Sequence, residues 1–298
     1  MYELIIVGGG PAGISAAAMA LNQRMETLII AEQWGGQTTY QMHLEDSEGR
    51  GTISGETLLE AFRRQLDYLD FVRHFDRVTE VMPKEDYFVV VTTDGDRFEG
   101  RTLIIATGAK PQRLDVPGAR RLAGRGLSYS ASTHAGLFLG KDVAVIGSGR
   151  RAQWAAACLA RKAHQVHLLA PEPLLTTPLA EKLATMANVD IAEGAVVKEV
   201  LGEAFVSGVL ALMPDGQERQ IPAKGLFVKL PRIPNTALVK GWIDCDSRGH
   251  IIVDQMCATS WPGVYAAGDV TMVSEQVLVH VGEGAKAALS AYHHLLMH

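Results

Sequence analysis

The first residues whose types and spacing could carry chemistry are three glycines near the start of the chain. Gly8, Gly10 and Gly13 have the G-x-G-x-x-G spacing, with Pro11 and Ala12 between them. In such a turn the first glycine allows a tight bend, the second lets backbone approach a pyrophosphate, and the third lets a helix pack on a strand. The free N–H groups at the start of the helix favour negative charge. The spacing therefore predicts a dinucleotide site.

The neighbouring segments have patterns that would position this turn. An apolar run at 3–7 precedes it, and a strong helix former follows from Ile14. A second apolar strand, at 27–31, ends at Glu32, about where an acid that binds a ribose is expected. Gly36 and Gln37 come just past that strand, where an open α/β sheet binds ligands. This segment is either part of the same site or a plain loop.

A second strand–turn–helix unit begins near residue 141. Its strand, at 141–146, leads into Gly147, Gly149 and Ala152, the G-x-G-x-x-A variant, and then into an alanine-rich helix at 154–163. Two such units predict an α/β protein with two Rossmann-like, three-layer nucleotide-binding domains. The second turn is either a working nucleotide site or inherited fold geometry.

Other segments have recognisable patterns of their own. A helix is predicted at 58–71, antiparallel strands at 78–98, a short helix and a β meander at 183–222, and a final helix from about 274 to 296. A buried-type strand after residue 101 ends in Ala106, Thr107 and Gly108. Small residues there permit close backbone approach to a bulky group.

The composition excludes several classes of protein. At 298 residues the chain is expected to form about two domains, and its formal charge of −5 argues against nucleic acid or anionic membrane as the main partner. No apolar segment reaches membrane-spanning length, and a first strand beginning almost at Met1 leaves no room for a signal peptide. The three cysteines are widely spaced and predict neither a disulfide framework nor a zinc site. We therefore expect a cytoplasmic protein that holds no metal.

Taken together, these motifs resemble those of the low-molecular-weight thioredoxin reductases, flavoproteins with a FAD domain and an inserted pyridine-nucleotide domain. The resemblance covers essentially the whole chain and extends to Gly268, Asp269, Gln276 and Val277 near its end. It implies that 1–112 and 240–298 form a discontinuous FAD-binding domain. Residues 113–239 would form an NAD(P)-binding-like domain of degenerate type, inserted into the first. It also implies a homodimer.

The resemblance further implies roles for individual residues toward FAD. The first glycine turn would hold the pyrophosphate, Glu32 would bind the adenosine ribose, and Asp269 would contact the ribityl and phosphate portion. Gln276 and Val277 would face the pyrimidine edge of the flavin, where a helix N-terminus stabilises charge on a reduced flavin. Asp46 aligns with an asparagine near the flavin in the family. The predicted cofactor-binding set is Gly8, Gly10, Pro11, Ala12, Gly13, Glu32, Gly36, Gln37, Asp46, Ala106, Thr107, Gly108, Gly268, Asp269, Gln276 and Val277.

The chain departs from the family at the reactive centre. Ser130 and Thr133 occupy the positions of the family's Cys-x-x-Cys, and His134 occupies the position of the acid that follows. Hydroxyls cannot replace a thiolate pair in disulfide exchange, so thioredoxin reduction through an internal dithiol is disfavoured. Ser130 and His134 are weak catalytic candidates. His134 could relay a proton and Ser130 could bond to the flavin or a substrate, or both could fill vacated positions.

The chain also departs from the family where NADPH-dependent members bind the 2′-phosphate. Their His-Arg-Arg and a further arginine are replaced here by Ala170, Pro171, Glu172 and Thr176. The arginine side chains that would bind the phosphate through paired N–H donors are absent, and the carboxylate of Glu172 would repel the phosphate. NADPH is therefore disfavoured. NADH stays open, because Glu172 could accept a hydrogen bond from a ribose 2′-hydroxyl.

These departures leave three functions open. The first is a FAD-dependent oxidoreductase whose flavin exchanges electrons with an external partner other than NADPH, such as a ferredoxin or another redox protein. The second is an NADH-dependent flavin reductase that passes electrons to a ferredoxin, a quinone or a small acceptor. The third is a non-catalytic FAD-binding sensor or assembly protein. We favour the first, because both reaction-partner motifs are lost while the flavin motifs remain.

Overall fold

The computed structural model describes residues 1–39, 72–271 and 276–298, together with Met42 and Arg64. Asp46, the helix predicted at 58–71 and the predicted start of the last helix near 274 lie outside the described residues.

The described chain contains both strands and helices. The strands are β1 (Tyr2–Val7), β2 (Thr27–Ile30), β3 (Arg73–His74), β4 (Val78–Pro83), β5 (Phe88–Thr92), β6 (Arg97–Ile105), β7 (Ala109–Pro111), β8 (Leu127–Ser128), β9 (Val143–Ile146), β10 (Val166–Ala170), β11 (Val189–Glu193), β12 (Val196–Leu201), β13 (Gly208–Leu212), β14 (Glu218–Pro222), β15 (Gly225–Val228), β16 (Arg232–Pro234) and β17 (Val264–Ala266). The helices are α1 (Pro11–Asn22), α2 (Ala131–His134), α3 (Arg150–Ala160), α4 (Pro178–Ala184) and α5 (Val277–Met297).

The described residues fall into two compact units. The first contains 1–39, Arg64, 72–110, 233–271 and 276–298, and the second contains Met42 and 111–232.

The first unit is built on a sheet with the strand order β3-β2-β1-β6-β5-β4, in which β17 also pairs with β6. Strands β3, β2, β1, β6 and β17 are parallel, whereas β4, β5 and β6 form the antiparallel hairpins predicted at 78–98. On the side away from β1, strand β6 has two partners. It pairs with β5 over 97–100 and with β17 over 103–105. The late strand β17 therefore extends the parallel part of the sheet.

Side chains of β1 alternate between the two faces of this sheet. Leu4 and Ile6 share a core with the alanines of α1 and α5, whereas Ile5 and Val7 share a core with β5 and β17. This alternation is expected of a strand buried on both faces. Helix α5 packs closely on α1, because a Cβ at Gly284 would strike the carbonyl oxygen of Ala12.

The second unit has a parallel sheet with the order β11-β10-β9-β15-β8 and a separate antiparallel sheet, β12-β13-β14. The prediction of a β meander within 183–222 is partly wrong. Strand β11 pairs in parallel with β10, and only β12 to β14 form a meander. A helix between β10 and β11 returns the chain for parallel pairing. That helix begins early, at Pro178, because Thr177 caps it by accepting from the Ala180 N–H. Helix α3 likewise begins at Arg150 rather than at residue 154, with Gly149 as its N-cap.

The predicted α/β class is confirmed by these parallel sheets and their helices. Within the described segments, no helix is long and apolar enough to cross a membrane. The same segments contain no group of three or more histidine, cysteine or acidic side chains placed to hold a metal ion.

Candidate cofactor site

The first glycine turn has the shape that a pyrophosphate requires. Gly8 has a φ of +119°, and a Cβ there would strike the carbonyl oxygen of Ala106; one at Gly13 would strike the carbonyl oxygen of Gly8. Both positions therefore need glycine to let α1 pack on the sheet. Gly10 differs, because an ideal Cβ there has nothing within 4 Å. It is the N-cap of α1, with no side chain bonded to the cap and no acid in the first turn. An open space at an uncapped helix N-terminus fits an anion.

The loop after β2 lies against this turn. Gly36 adopts a φ of +54°, and a Cβ there would lie 3.3 Å from the Cα of Gly10. Gln37 donates its side-chain amide to the carbonyl oxygen of Ala109. Glu32 is exposed just after the strand. The structure thus brings Gly36 to the turn and gives Gln37 a bond that fixes the loop.

The Ala106–Gly108 segment, which follows β6, lies against the first glycine turn. The Ala106 N–H bonds to the carbonyl oxygen of Val7 at 2.8 Å. The hydroxyl of Thr107 donates to the carbonyl oxygen of Asn235, and the Asn235 amide donates back to the carbonyl oxygen of Thr107, both at 2.8 Å. Thr107 therefore holds a later segment of the chain through its side chain. Gly108, with a φ of +67°, has open space at its Cβ position.

The segment after β17 reaches the same turn. Gly268 has a φ of +85°, and a Cβ there would lie 3.2 Å from the Cβ of Ala12. Gln276 is the N-cap of α5 and Val277 its first residue, with no side chain bonded to the cap. Of the late residues in the predicted set, Gly268 therefore lies against Ala12 of the first glycine turn.

Two buried polar residues on α5, absent from the predicted set, contact this segment. The Glu283 carboxylate accepts the Gly268 N–H at 2.9 Å, and His280 Nε2 lies 3.4 Å from Asp269 Oδ1. Burial raises the pKa of the Glu283 carboxyl, and the negative charge of Asp269 adds to this; the Gly268 N–H, His280 and Lys286 oppose it. Polar residues three apart on a helix otherwise rich in alanine and glycine were the available sequence signal.

Glu283 also has an oxygen left over for a ligand. Its Oε1 atom is buried without a hydrogen-bond partner among the described residues, as is the Nε1 atom of Trp34. The side chain of Trp34 lies beside the first turn, since a Cβ at Gly9 would lie 3.0 Å from its ring. With the open space at Gly10, these groups fit a dinucleotide cofactor with polar ribityl and phosphate parts.

The second glycine turn repeats the first. Gly147 has a φ of +142°, and a Cβ there would lie 2.6 Å from the carbonyl oxygen of Lys229. Gly149 is the N-cap of α3, with no side-chain cap and nothing within 4 Å of its Cβ position. The side chain of Arg151 donates to the carbonyl oxygen of Leu230 at 2.6 Å. The turn geometry is therefore present in both units.

The loop after β10 is bonded onto this second turn. The Glu172 N–H donates to Ser148 Oγ at 2.9 Å, and the Leu175 N–H donates to the Ser148 carbonyl oxygen at 3.5 Å. Gln153, on α3, donates to the Leu175 carbonyl oxygen at 2.8 Å and accepts from the Thr177 hydroxyl at 2.6 Å. We call residues 172–177 the closing loop. It bonds to the turn where a nucleotide ribose would approach.

The hydroxyl residues at the dithiol position form a local network. Ser130 Oγ donates to Thr133 Oγ1 at 2.9 Å, and both side chains reach the surface. His134 is buried, with Nδ1 at 2.8 Å from Ser128 Oγ. Burial and the positive charge of Lys229 lower the pKa of His134 to about 4. The imidazole is thus neutral near neutral pH, and its proton-relay role stays a prediction.

All three cysteines are free thiols. Burial raises the pKa of each, to about 11 for Cys257. A raised pKa disfavours the nucleophilic thiolate.

Two units with matching glycine turns define the class of protein, a two-domain fold of the dinucleotide-binding type. Residues 2–288 match the family model described as pyridine nucleotide-disulphide oxidoreductase, and the chain belongs to this family. The family is one of oxidoreductases, and membership implies FAD and a pyridine nucleotide as cofactors.

Relatives and solved structures agree with this family. The thioredoxin reductase of Streptococcus pyogenes MGAS5005 has a TM-score of 0.88 at 33% identity and covers 100% of this chain and 99% of its own. The NADH dehydrogenase of Bacillus subtilis (strain 168) is 33% identical over 99% of this chain. The alkyl hydroperoxide reductase of Pseudomonas putida has a subunit that is 35% identical over 99% of this chain. The chain spans 59% and 58% of the lengths of these two relatives. The predicted resemblance to thioredoxin reductases is confirmed.

Proposed function

We propose that the chain is a FAD-dependent oxidoreductase whose flavin exchanges electrons directly with an external redox protein such as a ferredoxin. In this proposal, NADPH is not held by the second unit and no internal dithiol relays the electrons. The observation that carries the proposal is the charge of the closing loop, which has the exposed Glu172 and no cationic side chain.

The closing loop and its charges argue against a 2′-phosphate. A ribose approaching the second turn would displace the bonds that Ser148 makes to the backbone of Glu172 and Leu175. The exposed carboxylate of Glu172 would then face the phosphate, and residues 170–176 contain no cationic side chain to balance it. Two like charges in close contact disfavour binding.

The first unit, by contrast, keeps the groups that would hold FAD. The open space at Gly10 and the N–H groups at the start of α1 would bind the pyrophosphate. Gln276 and Val277, at the start of α5, would place a positive helix end against the flavin. FAD supplies the capacity to accept and release electrons when bound. The protein's part is to hold the cofactor and stabilise its charge.

The hydroxyl network supports direct exchange between the flavin and the outside partner. Ser130 and Thr133 bond to each other and have no redox chemistry comparable to a dithiol. The three cysteines form no Cys-x-x-Cys in the sequence and have raised pKa values. A disulfide substrate would find no thiolate relay in this arrangement.

A second candidate, NADH as the donor, has an observation of its own. Gly149 keeps open space at an uncapped helix N-terminus, as Gly10 does. The Glu172 carboxylate could accept from the 2′-hydroxyl of an NADH ribose once the closing loop has moved. A relative whose name is NADH dehydrogenase also favours this candidate.

The proposal is tested by anaerobic titration of the purified flavoprotein with NADPH, NADH and a reduced ferredoxin, each followed by flavin absorbance. We expect rapid bleaching by the ferredoxin and none by NADPH. Rapid bleaching by NADH would establish the second candidate instead.

A matched variant decides whether the second turn takes part. Gly149→Val fills the open space in the second unit, so it should leave reduction by ferredoxin unchanged and abolish any reduction by NADH. Reduction by dithionite alone, with no response to any of the three donors, would contradict the proposal and support a non-catalytic FAD-binding protein.

A further inference from the structure

Helix α3 of the second unit carries two arginines and a tryptophan on one exposed face. With 3.6 residues in each turn, Arg150, Trp154 and Arg161 lie within about 40° of one another around the helix axis. Arg161 is the C-cap residue and still has helical backbone angles. Both arginines are exposed, and so is 54% of Trp154. We call these three residues the α3 face.

The other side of α3 holds the helix on the parallel sheet. Its residues in the core shared with β9 and β10 are Ala152, Ala155, Ala156 and Leu159. The antiparallel sheet β12-β13-β14 shares a different core with β9 and β10, formed by the alternate residues of those strands. Because alternate side chains of a strand point to opposite faces, α3 and the antiparallel sheet cover opposite faces of the parallel sheet. The α3 face is therefore directed away from the core.

Positive charge is concentrated in the second unit. Residues 111–232 contain 15 lysine and arginine residues and 10 aspartate and glutamate residues, a formal charge of +5, whereas the rest of the chain has a formal charge of −10. The segment 143–171, which contains α3, has four of these cations and no aspartate or glutamate. The positive charge of α3 is thus not balanced by acids three or four residues away on the same helix.

The acids nearest to this segment in the sequence lie at its two ends. Asp142 precedes it, and its carboxylate is 2.7 Å from Nδ1 of His164. Glu172 follows it in the closing loop, and Glu181 lies on α4, which packs against α3. Lys182 comes directly after Glu181. These neighbouring segments therefore leave the region around α3 positively charged.

The residue types of the α3 face fit a protein partner of negative charge. Tryptophan and arginine are the side chains that most often dominate the binding energy of protein interfaces. Guanidinium groups bind carboxylates through paired N–H donors. An acidic partner is attracted by residues 111–232 and repelled by the remainder of the chain, and such a field steers the partner during encounter.

We propose that the α3 face is the docking surface for an acidic redox protein, the external partner of the proposed function. The inference rests on that function and adds the surface at which the partner binds. It also gives the second unit a role that requires no bound nucleotide.

The test measures the affinity of the flavoprotein for an oxidised ferredoxin of net negative charge, by surface plasmon resonance at about 50 mM and about 500 mM salt. The wild type should bind more tightly at the lower salt concentration. The double variant Arg150→Glu, Arg161→Glu should weaken binding roughly tenfold or more at the lower salt concentration and less at the higher one. A ferredoxin that does not bind the wild type would overturn the proposal.

A single variant separates apolar contact from charge. Trp154→Ala should weaken binding roughly fivefold at both salt concentrations, because salt does not screen the contact of the indole ring. Since more than half of this side chain is exposed, we expect an unchanged circular dichroism spectrum. Wild-type affinity in Trp154→Ala would show that the tryptophan is not part of a docking surface and would contradict the proposal.

The matched control is the double variant Arg120→Glu, Lys198→Glu, which makes the same change in net charge. Both residues are exposed, Lys198 on β12 and Arg120 beside Ala119, whose side chain belongs to the core shared with the antiparallel sheet. This variant should bind the ferredoxin within roughly twofold of the wild type at the lower salt concentration. Equal losses in the two double variants would overturn the specific role of the α3 face.

A DNA oligonucleotide provides a second control for the class of partner. An oligonucleotide that binds the wild type as tightly as the ferredoxin, with the same dependence on Arg150 and Arg161, would reveal a general anion-binding surface and overturn the proposal.

Electron transfer takes no part in these binding measurements, because the ferredoxin is oxidised. Binding at the α3 face without reduction of the flavin by reduced ferredoxin would contradict the proposed function alone. Reduction of the flavin by ferredoxin, with equal affinities in all variants, would contradict the docking surface alone.

Discussion

The two glycine turns share a backbone geometry and differ in what surrounds them. Gly8 packs against the carbonyl oxygen of Ala106 as Gly147 packs against that of Lys229, and each following helix begins at a glycine with open space beside it. In the first unit the loop after the second strand bonds to the turn through the Gly35 N–H and the Gly9 carbonyl oxygen at 2.8 Å. In the second unit the closing loop bonds to both the side chain and the carbonyl oxygen of Ser148. A glycine turn with a loop bonded to it thus belongs to the fold, and the two units differ in the groups that make these bonds.

The largest expected effect comes from filling the open space of the first turn. Gly10→Val places methyl groups where the pyrophosphate would lie, and no atom of the described fold is within 4 Å of the new Cβ. We expect a folded protein that purifies without flavin, with FAD affinity reduced roughly a hundredfold or more. The ratio of flavin absorbance to protein absorbance measures this, and circular dichroism confirms folding.

Gly149→Val is the matched substitution in the second turn and should purify fully yellow. A Gly10→Val protein as yellow as the wild type would show that the first turn does not hold the cofactor.

A smaller effect, on the free energy of unfolding, should distinguish the third residues of the two turns, Gly13 and Ala152. A Cβ at Gly13 would strike the carbonyl oxygen of Gly8, whereas the second turn already has Ala152 at this place. Gly13→Ala should lower the free energy of unfolding by roughly 3 kcal/mol, since backbone must move. Ala152→Gly should cost about 1 kcal/mol through helix propensity. Urea unfolding of the two variants checks this, and equal losses would remove the contrast.

The buried His134 of the second unit predicts that the protein loses stability at acid pH. The folded-state pKa of His134 is about 4, below its ordinary 6.5. Because the unfolded chain binds more protons than the folded chain between these pH values, the free energy of unfolding is largest above about pH 6.5. It falls as the pH drops from about 6.5 toward 4. Between about pH 7 and about pH 5 the wild type should lose roughly 2 kcal/mol more stability than His134→Asn. Denaturant unfolding at the two pH values measures the difference, and parallel losses would contradict it.

The smallest expected effect concerns the closing loop. Ser148→Ala removes the acceptor of the Glu172 N–H, a bond near the surface worth about 1 kcal/mol. The amide of Glu172 should therefore exchange its hydrogen roughly fivefold faster, as measured by NMR or mass spectrometry. Thr185→Ala is a control, since it removes only a local bond from the Thr185 hydroxyl to the Lys182 carbonyl oxygen. Unchanged exchange in Ser148→Ala would mean that this bond does not hold the loop.

The sequence allowed the fold class and the family to be predicted because both depend on local signals. Glycines needed at Gly8, Gly13 and Gly147 are followed by helices and preceded by apolar strands, and these patterns are visible without tertiary information. The antiparallel hairpins of 78–98 followed from β-branched and aromatic residues and a turn signal. The role of Asp46 stays a prediction.

The buried acids and histidine of α5 could not be predicted in the same way. Glu283 lies in a small-residue segment that suggested close packing, and only the folded chain brings its carboxylate to the Gly268 N–H, 15 residues away. The closing loop was likewise invisible, because Ser148 and Glu172 meet across 24 residues. The sequence showed that the cations were missing there, but the bonds between the loop and the turn depend on tertiary structure. The roles of the other site residues, the homodimer and the cytoplasmic location also stay predictions.

The packing of α5 on α1 has a consequence for the order in which the protein is assembled during synthesis. The hydroxyl of Ser15 donates to the carbonyl oxygen of Val281 at 2.7 Å, joining residues 266 positions apart. All strands of the second unit's two sheets lie between these partners in the chain. A ribosome therefore releases the whole second unit before the helix that completes the first core emerges, and domains generally fold as units while the chain is being made. The second unit can therefore fold before the first core is complete, and a cofactor site that needs both α1 and α5 is complete only after α5 has emerged.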